Sequence, residues 1–272
     1  MKFNTICGTP RSGSTLLCNI LNQNPRFHAS STSCVASSAR ALSNLWSHSP
    51  EIKSQLLHDA EVTTTKMVGG IRAMIEAWYA GNGEVIFDKD RHWNHSPLLL
   101  HQIFPESHMF VMVRDLRAVM ASIEKQHAKN PVLDEASGPL ELHTYNRADR
   151  MLSPQGLVGQ HVAGIEDLMR RNLPYVHMIQ FETLVKNPKL VLDSIYTVLG
   201  EDGFAHDFTH VENTATDADA LYLGKYPHEG SGAVKVPEGL WSDHVPQDIG
   251  GLIMQRFAAF NQAFGYLPQT QN

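Results

Sequence analysis

The segment Gly8-Thr9-Pro10-Arg11-Ser12-Gly13-Ser14-Thr15 constrains this chain more than any other. An apolar run at 3–7 precedes it and another at 16–21 follows, an order that predicts strand, tight glycine loop and helix. A helix N-terminus leaves about four N–H groups without intrahelical partners, and the summed peptide dipoles favour negative charge beside them. Gly8 and Gly13 permit backbone angles and close approach that a side chain would block. Ser12, Ser14 and Thr15 add hydroxyls, and Pro10 stiffens the turn. The spacing is that of a phosphate-binding loop with one departure: Ser14 stands where nucleotide triphosphatases carry lysine, and the loop's only cation is Arg11. A plain helix start capped by Ser12 or Ser14 would need only one of these features. Together they predict an anion cradle for a phosphate-type ligand other than a triphosphate handled with magnesium.

Beyond the loop, strand-like runs at 3–7, 84–87, 108–113 and 175–180 alternate with helical patterns. The helical patterns cover 15–22, 33–47, 65–79, 96–104, 116–127, pieces of 141–171, 190–199 and 249–264. Such alternation predicts an α/β fold: one P-loop-like domain over residues 1–272, with a central, mostly parallel sheet flanked by helices. Residues 130–139 form a polar connector, and from 209 to 246 the periodicity dissolves into Gly, Pro, His and Lys. That aperiodic stretch is expected to be an active-site flap or a flexible loop.

Composition excludes several function classes. The chain has 272 residues, 42% hydrophobic and 18% charged, with a formal net charge of −6 and no basic stripe, so no nucleic-acid partner is expected. No run approaches the ~18 apolar residues of a membrane span, and residues 1–7 are too short and polar for a signal segment. Cys7, Cys18 and Cys34 form no disulfide framework and read as reduced thiols of a cytoplasmic protein. There are 15 histidines, and His92/His95 and His206/His210 have helix-face spacing, but no CxxC or HExxH closes a zinc site. No metal is expected.

In parallel sheets, ligands bind outside the carboxyl ends of the strands. The first strand delivers the glycine loop, the second Asp88-Lys89-Asp90-Arg91-His92, and the third Arg114-Asp115-Leu116-Arg117 at the head of a helix carrying Ser122 and Lys125. Local pairing with Asp88, Asp90 or Asp115 would make Lys89 and Arg117 ordinary element ends. Cations at successive strand ends of an acidic chain instead predict a focused site for an anionic ligand.

Taken together, these residues resemble the sulfotransferase family that uses 3′-phosphoadenosine-5′-phosphosulfate. The family's 5′-phosphosulfate loop is similar to Thr9-Pro10-Arg11-Ser12-Gly13-Ser14-Thr15-Leu16-Leu17, and its 3′-phosphate motif to the segment from Val113 to Ser122. Phe87-Asp88-Lys89-Asp90 is similar to the protein-tyrosine branch, and Phe181-Glu182-Thr183-Leu184-Val185 to the family's helix start after the fourth strand. The resemblance covers roughly residues 1–200 (order and spacing alike). It implies that Arg11, Ser12, Gly13, Ser14 and Thr15 hold the 5′-phosphosulfate, that Arg114 and Ser122 hold the 3′-phosphate, and that Lys89 contacts the transferring sulfuryl group. It implies that co-substrate, no metal, and a small-molecule or peptide acceptor offering a hydroxyl or amine.

Three departures stand out. The acidic pair that supplies the tyrosine branch's base is replaced by Ala29-Ser30-Ser31-Thr32-Ser33, that branch's nucleotide-contacting tyrosine falls near Phe181, and its membrane anchor is not seen. The candidate general bases are therefore His92 first, Asp90 second and His28 third. Lys225 and Lys235 are candidates for a further phosphate-binding lysine. A P-loop kinase or other ATP-dependent phosphotransferase, and a non-catalytic nucleotide-binding relative, are the alternatives.

Overall fold

The structure is a computed structural model that describes residues 1–129, 143–215 and 231–267. Its centre is a five-stranded sheet of β1 (Lys2–Gly8), β2 (Phe27–Thr32), β3 (Val85–Lys89), β4 (Met109–Val113) and β5 (Val176–Gln180), in the order β2-β3-β1-β4-β5. Every neighbouring pair is parallel. The three inner strands are buried almost throughout, which is why they read as continuous apolar runs.

Pleating sends alternate residues to opposite faces. Val111 and Val113 join Phe3 and Cys7 in one core, while Phe110 and Met112 join Ile6 and Phe87 in the other. Helices α1 (Ser14–Leu21) and α10 (Pro188–Leu199) supply the second core. The first core is larger. It takes side chains from α2 (Val35–His48), α4 (Ala60–Trp78), α5 (Pro97–Ile103), α6 (Leu116–Lys129), α7 (Thr144–Leu152), α8 (Gly159–Arg171) and α11 (Gln247–Arg256). Shorter helices complete the chain: α3 (Pro50–His58), α9 (Phe181–Lys186) and α12 (Ala258–Ala263). No helix among the described residues is long and apolar enough to cross a membrane.

The sequence predicts four strands; the fifth, β2, escapes detection for a physical reason. Its sequence, Phe-His-Ala-Ser-Ser-Thr, lacks an apolar run because β2 is an edge strand paired only with β3. The Asn22 side chain stands in for a further strand at Ala29: its Oδ1 accepts from the Ala29 N–H at 2.6 Å, and its Nδ2 donates to the Ala29 carbonyl at 3.0 Å. Helix α3 is also unforeseen, and none of its side chains is buried. Strand β3 runs on to Lys89, so that lysine ends the strand instead of following it. The connector at 130–139 and residues 216–230 of the aperiodic stretch lie outside the described residues. The described parts of 209–246 carry a single antiparallel bridge, Val211 with Gly232, and a 3-10 turn at Trp241–Asp243.

This strand order fixes the functional end of the molecule. β1 lies between β3 and β4, with Ile6 level with Lys89 and Gly8 level with Met112. Three loops, following Gly8, Lys89 and Val113, therefore open side by side.

Candidate anion-binding site

The backbone comes first. Gly8 ends β1 at φ 136°, and a Cβ there would lie 2.0 Å from the Met112 carbonyl oxygen. Arg11 (φ 58°) and Gly13 (φ 85°) are both left-handed, the arginine being one of two such non-glycine residues among those described. A Cβ on Gly13 would meet Phe181 Cδ2 at 2.5 Å, so the aromatic ring lies directly on the loop. Gly13 is also the N-cap of α1, whose first-turn N–H groups have no carbonyl of their own helix to bond.

Side chains then complete a cavity of about 310 Å³ over this loop. Its walls come from Arg11 and Gly13 to Leu16 on the loop and α1, Arg114 after β4, Ser122 on α6, and Phe181 and Val185 on α9. Ser231, Ala233, Lys235 and Pro237 close it, held by the hydrogen bond from Val234 N–H to the Phe208 carbonyl at 2.8 Å. Arg11, Arg114 and Lys235 are the cations among its described lining residues.

Arg11 Nε donates to Ser122 Oγ at 3.2 Å, and Arg114 Nη1 donates to the Arg11 carbonyl at 2.9 Å. The Arg114 guanidinium lies 4.3 Å from the centroid of the Phe181 ring, a cation–π contact. Its Nε is buried without a hydrogen-bond partner, and no described carboxylate is within ion-pair distance. Burial pulls Arg114 below the usual arginine range; Glu182 opposes this and Arg11 adds to it. A cation held in that state would be relieved by an anion.

The lysine missing from position 14 is replaced from the adjacent strand. Lys89, at the end of β3 and only 5% exposed, donates from Nζ to Thr15 Oγ1 at 3.0 Å. Its own N–H donates to Ser30 Oγ at 2.9 Å. Asp88, its neighbour in sequence, is pinned by Tyr79 Oη and by Trp93 Nε1 at 2.6 Å. Burial pushes Asp88 up to about 6.

Of the expected site residues, Arg11, Gly13, Ser14, Thr15, Arg114 and Ser122 line one cavity, and Lys89 touches it through Thr15. Ser12 has a different job: it is fully buried and its hydroxyl donates to the Thr9 carbonyl at 2.6 Å, bracing the loop. His92 lies in a separate groove with Ser37, Arg40, Asn44 and Leu99. His28 lies in neither, lining a depression with Trp78 and Asn82. Arg117 corrects the expectation drawn from strand ends. It is buried, grips Asp115 through Nη2 at 2.7 Å, and lies 5.4 Å from the Trp241 ring, so its charge is spent locally. Asp115 also accepts from the Arg117 N–H at 2.9 Å, as a cap does. Of the two candidate lysines, Lys235 lines the cavity and Lys225 lies outside the described residues. Among the described residues, no group of three or more His, Cys, Asp or Glu is placed to hold a metal ion.

A parallel sheet that brings a glycine loop, a strand-end lysine and two arginines to the same edge has the architecture of a P-loop-type α/β protein. A family model described as "Sulfotransferase family" matches residues 5–206, and the chain belongs to that family. Protein-tyrosine sulfotransferase 2 of Gallus gallus is 26% identical over 252 residues, covering 90% of this chain and 64% of the relative. Protein-tyrosine sulfotransferase 1 of Danio rerio is 29% identical over 155 residues, covering 56% and 43%. The chain thus spans less than two thirds of these curated relatives. Among solved structures, mouse sulfotransferase SULT7A1 complexed with PAP shares the fold at a TM-score of 0.55, with 13% identity and coverage of 96% of this chain and 89% of that one. The sulfotransferase domain from the curacin biosynthetic pathway does so at 0.54, with 14% identity and coverage of 94% and 97%.

Proposed function

We propose that this protein transfers a sulfuryl group from 3′-phosphoadenosine-5′-phosphosulfate to a hydroxyl or amine of an acceptor. The observation that carries this reading is the cavity lined by Arg11, Arg114, Lys235 and Ser122 over the glycine loop, together with Lys89 arriving beside the loop from β3. The α1 N–H groups and Arg11 hold the 5′-phosphosulfate. Arg114 and Ser122 hold the 3′-phosphate, the planar guanidinium offering a paired grip that lysine cannot copy. Lys235 adds charge at the rim.

Sulfuryl transfer, like phosphoryl transfer, demands little beyond positioning and fixed positive charge where negative charge develops. Lys89 neutralises the bridging oxygen as the phosphate leaves. A general base takes the acceptor proton, and His92 fills that role. The acceptor is a small molecule or a peptide. The three cysteines are free, which supports a reducing, cytoplasmic setting.

The test is a calorimetric comparison of 3′,5′-adenosine bisphosphate with ATP plus Mg²⁺, followed by radiolabelled sulfate transfer to a panel of acceptors. Tight, metal-independent binding of the bisphosphate and label transfer are expected. Tighter, metal-dependent binding of ATP would establish a phosphotransferase instead, and binding without transfer to any acceptor a non-catalytic relative.

A further inference from the structure

Resting on that functional reading, we infer that Asp90 is a positioning residue that fixes the His92 tautomer, so that Nε2 is the basic nitrogen offered to the acceptor. Asp90 caps a 3-10 turn, Arg91–His95, that carries His92 and is tied to the nucleotide loop. Asp90 N–H donates to the Ile6 carbonyl at 3.1 Å, and Asn94 Nδ2 donates to the Gly8 carbonyl at 3.2 Å. Trp93, fully buried, bonds Asp88 from the same turn. The turn is therefore anchored to β1 beside the loop, while the His92 side chain opens onto its own groove.

The carboxylate of Asp90 is 4% exposed. Its Oδ1 accepts from the His92 N–H at 2.9 Å and stands 2.8 Å from His92 Nδ1. An ionised carboxylate has no proton to give, so Nδ1 carries the hydrogen and Nε2 the lone pair. Ser37 Oγ, 3.3 Å from Nδ1, is a weaker second acceptor. Asp90 Oδ2 is buried without any hydrogen-bond partner.

The neighbours of His92 are consistent with this role. Ser37 and Arg40 face it from α2, Leu99 from α5, and Arg91 and His95 belong to its own turn. The ring of His161, from α8, stands edge-on to it at 6.1 Å. Burial holds His161 down to about 3, so it packs as a neutral ring and does not compete for the proton. The His92 side chain is 49% exposed and opens onto the groove.

In the step itself, the acceptor O–H or N–H gives its proton to His92 Nε2 while its oxygen or nitrogen bonds the sulfur. The bond from sulfur to the bridging oxygen breaks, and its electron pair leaves on the 5′-phosphate, neutralised by Lys89. His92 then returns the proton to solvent.

Two measurements test this. In the first, ¹⁵N-resolved NMR of the wild-type imidazole should show His92 protonated at Nδ1. Protonation at Nε2 in the neutral ring overturns the proposal whatever the activity. In the second, H92A should lower kcat by about 10²–10⁴-fold, and D90N by about tenfold or more with unchanged affinity for the bisphosphate. The double variant should be no slower than H92A alone, because the two residues act as one unit. D90N slowing the H92A enzyme by as much as it slows the wild type would mean a merely structural role and overturns the inference. A wild type that transfers no sulfate but shows the Nδ1–H tautomer overturns the functional reading and the catalytic role with it, leaving only the pairing.

Discussion

The phosphate side, over the glycine loop, and the side that carries His92, on a separate groove, are built from different material. The phosphate side is made of backbone: left-handed Arg11 and Gly13, the open end of α1, and strand ends whose spacing is fixed by sheet register. The side carrying the proposed base is made of side chains gathered around one short turn: Asp88 with Tyr79 and Trp93, Asp90 with His92, and His161 edge-on to it. A backbone cradle tolerates little change, because any Cβ at Gly8 or Gly13 collides. A side-chain network can be retuned one residue at a time. Under the proposed function, the difference teaches that one fold can keep a single donor grip while varying the chemistry offered to the acceptor.

On the phosphate side, the largest effect should come from the strand-end lysine. Lys89→Ala is expected to lower kcat by about 10²–10³-fold, the usual loss when one fixed donor to developing charge is removed, with a far smaller change in bisphosphate affinity. Steady-state kinetics paired with calorimetry measures both. An equal loss in binding would make Lys89 part of the grip and erase the division.

Two arginines three positions apart give the next contrast. Arg114→Ala should weaken bisphosphate binding about 100-fold, since charge-assisted hydrogen bonds are worth about 1.5–3 kcal/mol each. Arg117→Ala should leave affinity within about threefold. Its cost should appear in stability, about 1–3 kcal/mol, because Asp115 loses the partner for a mostly buried charge. Denaturant melts and titrations on both variants check this, and a large binding defect in Arg117→Ala would restore it to the site.

The base side should also be the more pH-sensitive. His161 is held at about 3, against 6.5 for an ordinary histidine. Between those values the unfolded chain binds a proton that the native state refuses, so stability should fall as pH falls from about 6.5, by at most ~1.4 kcal/mol per pH unit. Asp88 works the other way: raised from 3.8 to about 6, it binds its proton more readily when folded and offsets part of that fall in the same window. His161→Phe should flatten the acid slope in melts taken across that range, and an unchanged slope would assign the acid sensitivity elsewhere. The smallest effect belongs to Lys235→Ala. This side chain is 73% exposed and 3.7 Å from Glu238, so about a two- to threefold loss in bisphosphate affinity is expected at low salt, fading as salt rises.

The contrast also explains what could be read from sequence. The loop, the α/β alternation and Arg114 were legible because glycine, apolar periodicity and strand ends carry local signals. Lys89 was legible as a strand-end cation, although its hydrogen bond to Thr15 was not, since the two are 74 residues apart. Strand β2 was hidden because an edge strand completed by Asn22 needs no apolar run. Arg117 misled because a strand end says where a cation is, not which carboxylate has already claimed it. The pairing of Asp90 with His92 lies within one turn, yet only the direction of the two side chains reveals it.

The central claim is that one cavity grips both phosphates of an adenosine bisphosphate, through the loop of β1 and through Arg114. Isothermal calorimetry of 3′,5′-adenosine bisphosphate, against the wild type and Arg114→Ala, tests it most directly. Saturable, magnesium-independent binding that weakens about 100-fold in the variant is the predicted result. No heat with the wild type, or equal affinity in both proteins, would contradict it.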